Sequence, residues 1–154
     1  MLLLSFRVGD QLYACDTRDV VEVAPRVNLR LIPHAPSPVL GLLRYRGALI
    51  PVIDFHAVLG FPPCEDRLST RIILTQFAGE SSETYRLGVV AERVTDVVRG
   101  DEVTEVLAGV RLAEAPYLGT VYQAGESLVQ LIRPDRILPP ELHSSLFGTL
   151  AESP

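Results

Sequence analysis

Short β-rich runs separated by turn residues recur along the whole chain, about every ten residues. The first example is MLLLSFRV, followed by the turn residues Gly9 and Asp10 and then by QLYAC, a pattern typical of a β-hairpin. Four prolines between residues 25 and 38 exclude a long helix there. The sequence therefore predicts an all-β barrel or sandwich. The predicted strands are 1–8, 11–15, 20–24, 29–32, 41–45, 48–53, 71–77, 85–91, 94–99, 118–122 and 128–132.

The two halves of the chain have a similar density of predicted strands, which indicates two small barrels. We assign residues 1–66 to the first barrel region and residues 67–138 to the second, within a single domain of 154 residues. A proline pair near the end precedes a helical pattern, so the sequence predicts one helix over residues 139–150 that packs on a barrel. The residues that this helix presents on one face are Leu142, Leu146 and Leu150.

Composition and charge narrow the possible functions. Hydrophobic residues make up 47% of the chain, enough for a sizeable core. The net charge of -5 gives no general positive field for nucleic acid or anionic lipid. The apolar runs are far shorter than the roughly 20 residues that span a bilayer, and we recognise no signal peptide, so we expect a cytoplasmic protein without membrane insertion. We interpret Cys15 as a core residue and Cys64 as a loop residue, both ordinary thiols.

The segment GLLRYRGALIPVIDF, residues 41–55, predicts a tight hairpin that turns at Arg46 and Gly47. Arg44, Tyr45 and Arg46 have two interpretations that we weigh equally. Tyrosine and arginine are enriched at protein interfaces, which favours a docking site. The alternation of a strand also permits both arginines to face solvent while the tyrosine faces the core. Binding of single-stranded nucleic acid by the same three residues is disfavoured by the negative net charge.

Residues suited to catalysis or metal binding are few and scattered. The three histidines lie in no recognised ligand motif, and no glycine-rich phosphate loop precedes a helix, so we predict no metal and no cofactor. An alternative function is that of a small β-barrel hydrolase that uses Asp54 and His56 as a catalytic dyad. A cap on a short helical turn over 55–59 and a solvated histidine explain the pair better. The acidic group Asp101, Glu102 and Glu105 is typical of an exposed connection.

The order of the motifs closely resembles that of the CheW-like domain of bacterial chemosensory systems. The hairpin is the most specific part, because its glycines, arginine, proline and aspartate fall at the spacing of that family. The resemblance covers nearly the whole chain and is looser after the hairpin. The segments that carry it are Phe6-x-x-Gly9-Asp10-x-x-Tyr13, Val20-x-Glu22-Val23, Gly41-Leu42-Leu43-Arg44-Tyr45-Arg46-Gly47, Pro51-Val52-Ile53-Asp54, Thr70-Arg71-Ile72-Ile73, Gly88-Val89-Val90-Ala91-Glu92-Arg93-Val94 and Leu118-Gly119.

This resemblance implies two intertwined five-stranded SH3-like barrels that share a hydrophobic seam and exchange end strands. It also implies a non-catalytic adaptor, which binds the regulatory domain of a CheA-type histidine kinase and the cytoplasmic tip of a methyl-accepting chemoreceptor in membrane-bound receptor arrays. The positions that match the family's receptor-binding residues or their supports are Arg46, Gly41, Val20 and Glu22.

The chain departs from the pattern of the family at several positions. Arg44 and Tyr45 stand where the family usually has Asn and Leu, and Glu92 stands where it has Asp. Arg133 and Pro134 replace the usual acidic and apolar end of the last strand. These departures leave the identity of the partner open. The long loop from Phe77 to Tyr85, and a first strand that begins almost at residue 1, favour an adaptor of an alternative chemosensory pathway, such as a Wsp-type or pilus-linked system. Arg44 and Tyr45 are then additional candidate contacts with a partner.

Overall fold

The structure is a computed structural model that describes residues 1–65, 67–79, 83–107 and 114–151. Ten strands dominate it, with short 3-10 turns between some of them and two α-helices. The all-β class with a C-terminal helix, predicted from the sequence, is confirmed. The strands are β1 Leu2–Val8, β2 Gln11–Asp16, β3 Val20–Pro25, β4 Val39–Tyr45, β5 Ala48–Asp54, β6 Thr70–Ala78, β7 Thr84–Arg99, β8 Thr104–Leu107, β9 Leu118–Ala124 and β10 Ser127–Ile132, and the helices are α1 Phe55–Val58 and α2 Pro140–Ala151.

Five strands form the first barrel in the order β3, β6, β7, β5 and β4. Neighbours in this group are antiparallel except β5 and β7, which run parallel. The second group continues from β7 in the order β1, β2, β10, β9 and β8. Here β2 and β10 are parallel. The two groups are the intertwined SH3-like barrels expected from the sequence.

Strand β7 belongs to both barrels. Its first part pairs with β6 over residues 84–92, and its last residues pair with β1. The prediction of two separate strands, 85–91 and 94–99, is wrong because β7 is one continuous strand that includes Arg93, although Arg93 adopts a φ of 52°. A single residue in the left-handed region changes the direction of a strand without a loop. Each barrel therefore contains strands from before and after residue 66 in the sequence. The approximate assignment of residues 1–66 and 67–138 to two barrel regions stays a prediction.

One hydrophobic core joins the two barrels. Phe55 packs edge-on against Phe6, Tyr13 and Tyr117, with ring centroids 5.7, 5.5 and 5.9 Å apart. This edge-to-face geometry is favourable because the positive ring edge meets the negative ring face. Cys15 is fully buried in the same cluster, as predicted, and burial raises the pKa of its thiol. The shared core is the hydrophobic seam that the sequence led us to expect.

Two further predictions about secondary structure are wrong, the second of them in part. Residues 29–32 form no strand; Arg30 makes one isolated antiparallel bridge with Leu42, because the neighbouring prolines lack the N–H that a ladder needs. The acidic residues Asp101, Glu102 and Glu105 are exposed, as predicted, and the first two lie in a 3-10 turn, Gly100–Glu102, but Glu105 lies in strand β8 rather than in a connection. Strand β8 lies at the end of its sheet, where polar side chains are tolerated, so its sequence lacks the usual alternation.

The C-terminal helix α2 begins at a proline, as predicted, where the missing N–H breaks no helical hydrogen bond. Leu142 and Leu146 pack against the shared core. The side chain of Leu150, predicted for the same face, lies outside the described residues. Within the part of the chain that the structure describes, no helix is long and apolar enough to cross a membrane.

Candidate docking surface

The hairpin of β4 and β5 turns at Arg46 and Gly47, as predicted, with φ values of 48° and 81°. A two-residue turn of type I′ requires positive φ at both central residues, which glycine adopts without strain and arginine does not favour. Tyr45 and Ala48 pair directly before and after the turn. The turn therefore holds the Arg46 side chain at the tip of the hairpin.

The side chains of the hairpin alternate between solvent and core. Arg44 and Arg46 are exposed, whereas Tyr45 is half-buried and packs against a core cluster that includes Leu43 and Ile50. The guanidinium carbon of Arg46 lies 5.2 Å from the centroid of the Tyr45 ring, within the range of a cation–π contact. The ring thus positions the cation at the tip while both arginines remain accessible.

Glu22 connects the hairpin to strand β3. The Tyr45 hydroxyl interacts with the exposed Glu22 carboxylate, and hydrogen bonding to that carboxylate raises the pKa of Tyr45. Strands β3 and β4 are the two ends of the first barrel's strand order, so this contact spans the point where that barrel closes. We call Glu22, Arg44, Tyr45 and Arg46 the hairpin surface.

Val20 and Gly41 support the hairpin surface from partly buried and buried positions, respectively. Val20 is partly buried against the shared core, and a register shift in β3 follows it before Glu22. Gly41 is buried with a φ of 156°, and a Cβ added there would lie 2.5 Å from the carbonyl oxygen of Arg30. Arg30 and Leu42 exchange two backbone hydrogen bonds of 2.9 and 2.8 Å beside it. Gly41 therefore permits the close approach of the two segments.

The hairpin surface suits recognition of an acidic partner. Its two arginines and one glutamate give a local charge of about +1 on a chain whose net charge is -5. Val21 and Val23, on either side of Glu22, are 40% and 37% exposed, and Leu49, opposite Arg44 in the ladder, is 42% exposed. Planar guanidinium groups among exposed apolar side chains combine directional hydrogen bonds with burial of apolar area.

Asp54 is a structural cap, as predicted. Its carboxylate oxygens accept hydrogen bonds from the backbone N–H groups of His56 at 2.9 Å and of Cys64 at 2.7 Å. The prediction that His56 is solvated is wrong, because it is only 8% exposed. Cys64 does lie in a loop, but it is 7% exposed, and burial followed by the nearby Glu92 raises its pKa to about 12. The engagement of both oxygens of Asp54 with backbone groups counts against a catalytic dyad with His56.

Sequence reasoning missed a cluster formed by His56, Cys64 and Glu92, whose potential ligand atoms all lie within 4.8 Å of one another. The three residues belong to α1, the following loop and β7, so no local spacing reveals them. The one local signal in the sequence is the proline pair before Cys64, which marks a turn after α1. After this turn the chain runs back toward the barrel.

The strand order, the shared core and the crossing strand β7 define a domain of two intertwined SH3-like barrels. The chain belongs to the CheW-like domain family, whose model matches residues 2–141. This family is the one that the motif order predicted.

Relatives and a solved structure agree with this assignment. The chain is 33% identical over 96 residues to "Chemotaxis protein CheW" of Rhizobium meliloti (strain 1021), a match that covers 62% of this chain and 59% of the relative. It is 31% identical over 137 residues to "Protein FrzA" of Myxococcus xanthus, covering 86% of this chain and 82% of FrzA. The match to the Rhizobium meliloti protein thus spans less than two thirds of that relative's length.

The fold matches the crystal structure of the scaffolding protein TtCheW from Thermoanaerobacter tengcongensis with a TM-score of 0.73. The match covers 90% of this chain and 87% of that one at 21% sequence identity. At that identity the likeness establishes the fold.

Proposed function

We propose that this protein is a non-catalytic adaptor that couples chemoreceptors to a CheA-type histidine kinase in chemotaxis or a related chemosensory pathway. The observation that carries the proposal is the CheW-like fold over nearly the whole chain together with its exposed hairpin surface. TtCheW is a scaffolding protein and the Rhizobium meliloti relative is a chemotaxis protein, and both similarities support the proposal. The Wsp-type or pilus-linked subtype stays a prediction.

The receptor-binding role falls on Arg46 first. Its guanidinium is exposed at the tip of the hairpin and fixed over Tyr45, so it can reach carboxylates or helix-end carbonyls of a receptor's helical tip. Glu22, Arg44 and Tyr45 would contribute polar contacts around it. The exposed valines of β3 would cover part of the apolar face of a helix, as in helix-in-groove recognition.

Val20 and Gly41 act indirectly in this proposal. Val20 anchors the start of β3 in the core, and Gly41 allows β4 to approach the segment around Arg30. Both fix the positions of the strands that present Glu22 and Arg46. Substitution of either residue would displace the docking surface without removing a contact group from it.

The second partner is the regulatory domain of the kinase. An adaptor that holds a kinase under receptor control must bind both proteins at once, so the kinase contact lies apart from the hairpin surface. In this function the protein works in the cytoplasm at membrane-bound receptor arrays and performs no reaction of its own. A hydrolase that uses Asp54 and His56 is disfavoured, because both carboxylate oxygens of Asp54 accept hydrogen bonds from the backbone N–H groups of His56 and Cys64.

Calorimetric titration against the regulatory domain of a CheA-type histidine kinase from the same organism tests the adaptor role. Dissociation constants of 1 µM or tighter, equivalent to about 8 kcal/mol of binding free energy, are expected. A hydrolase screen with the His56→Ala variant as control should remain flat. Absence of kinase binding under conditions where the protein is folded would overturn the proposal.

A further inference from the structure

The cluster of His56, Cys64 and Glu92 is independent of the hairpin surface. It brings a ring nitrogen, a thiol and a carboxylate within 4.8 Å of one another. The Cys64 sulfur lies 3.6 Å from Oε1 of Glu92. Imidazole, thiolate and carboxylate are the three ligand types that zinc takes in proteins.

His56 is the member that a cap or a packing role does not explain. It is 8% exposed, and within the described residues its Nε2 atom is buried without a hydrogen-bond partner. A buried polar atom without a partner costs free energy, so such atoms are rare in folded proteins and point to an ion or another bound group. A metal ion would accept the lone pair of Nε2.

The Asp54 carboxylate fixes the backbone at His56 and Cys64, two of the three residues in the cluster. Asp54 accepts the N–H of His56 at 2.9 Å and the N–H of Cys64 at 2.7 Å. The third residue, Glu92, lies on β7, paired with Thr70 of β6 and Arg7 of β1. All three candidate ligands are therefore held by hydrogen-bonded backbone, which preorganises a site.

The geometry and charge fit a borderline divalent cation. Bond lengths of about 2.3 Å to sulfur and about 2.0 Å to oxygen or nitrogen place tetrahedral ligand atoms about 3.5 Å apart. The sulfur and oxygen are already 3.6 Å apart. A thiolate and a carboxylate with a neutral imidazole carry a charge of -2, which a divalent cation balances.

The cluster has access to solvent. A cavity of about 360 Å³ lies beside it, lined by His56 and Glu92 together with Arg7, Phe61 and Arg67. A cation bound by three protein ligands keeps a fourth position for water, which this cavity provides. It is also a route by which the ion enters.

We propose that His56 through Nε2, Cys64 through Sγ and Glu92 through a carboxylate oxygen bind one Zn²⁺ ion, with a water molecule as the fourth ligand. Binding deprotonates the Cys64 thiol and releases one proton to the buffer. The ion would tie α1, the loop that follows it and β7 together at the point where the two barrels meet.

The test uses the purified full chain, freed of metal by a chelator under reducing conditions and titrated with Zn²⁺ and separately with Co²⁺. The expected results are one bound ion per chain with a dissociation constant below about 1 µM, and a thiolate-to-cobalt charge-transfer absorption with Co²⁺. Cys64→Ala and Glu92→Gln should weaken Zn²⁺ binding, Cys64→Ala by at least ~100-fold, beyond the ~10–100-fold cost of losing an outer-shell partner. Cys15→Ala is the matched control and should leave binding unchanged, because Cys15 lies in the shared core.

Binding weaker than about 1 µM, or Co²⁺ binding to the wild-type chain without thiolate charge transfer, overturns the proposal. Equal Zn²⁺ affinity of Cys64→Ala and wild type does the same. Circular dichroism establishes that each variant is folded, and the cobalt spectrum of the wild-type chain decides the matter if Cys64→Ala does not fold.

Discussion

The guanidinium carbon of Arg46 lies 5.2 Å from the centroid of the Tyr45 ring, at the tip of the hairpin between β4 and β5. The same tyrosine interacts with Glu22 on β3, whose carboxylate raises the pKa of the phenol. A cation, an aromatic ring and a carboxylate are thus linked across the closure of the first barrel. This linkage gives the exposed arginine a defined position without burying it.

Arg46→Ala should leave the fold intact. The residue is exposed, and a surface cation–π contact contributes about 0.5–1 kcal/mol, so we expect a loss of unfolding free energy within about 1 kcal/mol. Urea denaturation of the two proteins measures it. Arg44→Ala, at an exposed position of β4 in the same hairpin, is the control. A loss of several kcal/mol for Arg46→Ala would instead assign a structural role to Arg46.

Gly41→Ala should destabilise the protein strongly. The new Cβ would meet the carbonyl oxygen of Arg30 at 2.5 Å, at a φ of 156° that other residues rarely adopt. We expect a loss of roughly 2–4 kcal/mol from steric overlap and backbone strain together, measured by chemical denaturation.

Gly125→Ala is the matched control for Gly41→Ala. Its φ is 62°, and within the described residues no heavy atom outside its own chain neighbours lies within 4 Å of the added Cβ. We expect only the left-handed backbone penalty of about 1–2 kcal/mol. Equal losses for the two variants would refute the role of close approach at Gly41.

Asp54→Ala should be among the most destabilising single changes. Asp54 is 2% exposed, and its removal leaves the N–H groups of His56 and Cys64 without their acceptor. Each buried donor left unpaired costs about 1–3 kcal/mol, so a total of about 3–5 kcal/mol is expected by denaturation. Asp54→Asn keeps one acceptor oxygen and should lose less. A near-neutral Asp54→Ala variant would contradict the capping role.

The stability contributed by Asp16 should depend on pH. Its carboxylate accepts hydrogen bonds from the backbone N–H of Arg18 at 3.0 Å and from its Nη2 at 2.7 Å, and the side-chain bond lowers the pKa of Asp16 in the folded state. Because the pKa of Asp16 is lower in the folded state than in the unfolded state, ionised Asp16 stabilises the folded protein at pH values above the ordinary pKa of about 3.9. This stabilisation is lost as the pH falls through the folded-state pKa. The difference in stability between wild type and Asp16→Asn should therefore shrink between pH 5 and pH 2.

Asp19→Asn provides the opposite case. Burial, followed by the charge of Asp16, raises the pKa of Asp19, so ionisation of Asp19 opposes folding as pH rises through its ordinary value. We therefore expect Asp19→Asn to retain or gain stability at pH 7, where Asp16→Asn loses about 1 kcal/mol or less. Thermal denaturation at several pH values measures both variants. A loss for Asp19→Asn equal to that of Asp16→Asn would contradict this assignment.

The hairpin and the cap at Asp54 could be predicted because local residues determine them. A β-branched run supplies the strand, an Arg-Gly pair supplies the turn, and an aspartate before a short helical segment supplies the cap. The continuity of β7 could not be predicted, because the positive φ of Arg93 has no local sequence signal. Strand β8 was missed because an exposed end strand carries no alternating pattern.

The contacts that build the candidate sites come from tertiary structure. Glu22 and Tyr45 meet only because the ends of the first barrel come together. His56, Cys64 and Glu92 meet because α1 and its loop fold back on β7. Arg46 and Tyr45 could be predicted as contacts because arginine and tyrosine are common at interfaces. The cluster of His56, Cys64 and Glu92 could not, because the sequence predicted that His56 is solvated.

The adaptor proposal is tested most directly by titrating the wild-type chain and Arg46→Ala against a receptor-tip peptide and, separately, against the kinase regulatory domain. Arg99→Ala is the control, because its side chain is 66% exposed at the far end of β7. We predict that Arg46→Ala weakens receptor binding at least tenfold, about 1.4 kcal/mol, and leaves kinase binding unchanged, while Arg99→Ala changes neither. Failure of the wild-type chain to bind either partner, or equal receptor binding by all three proteins, would contradict the account.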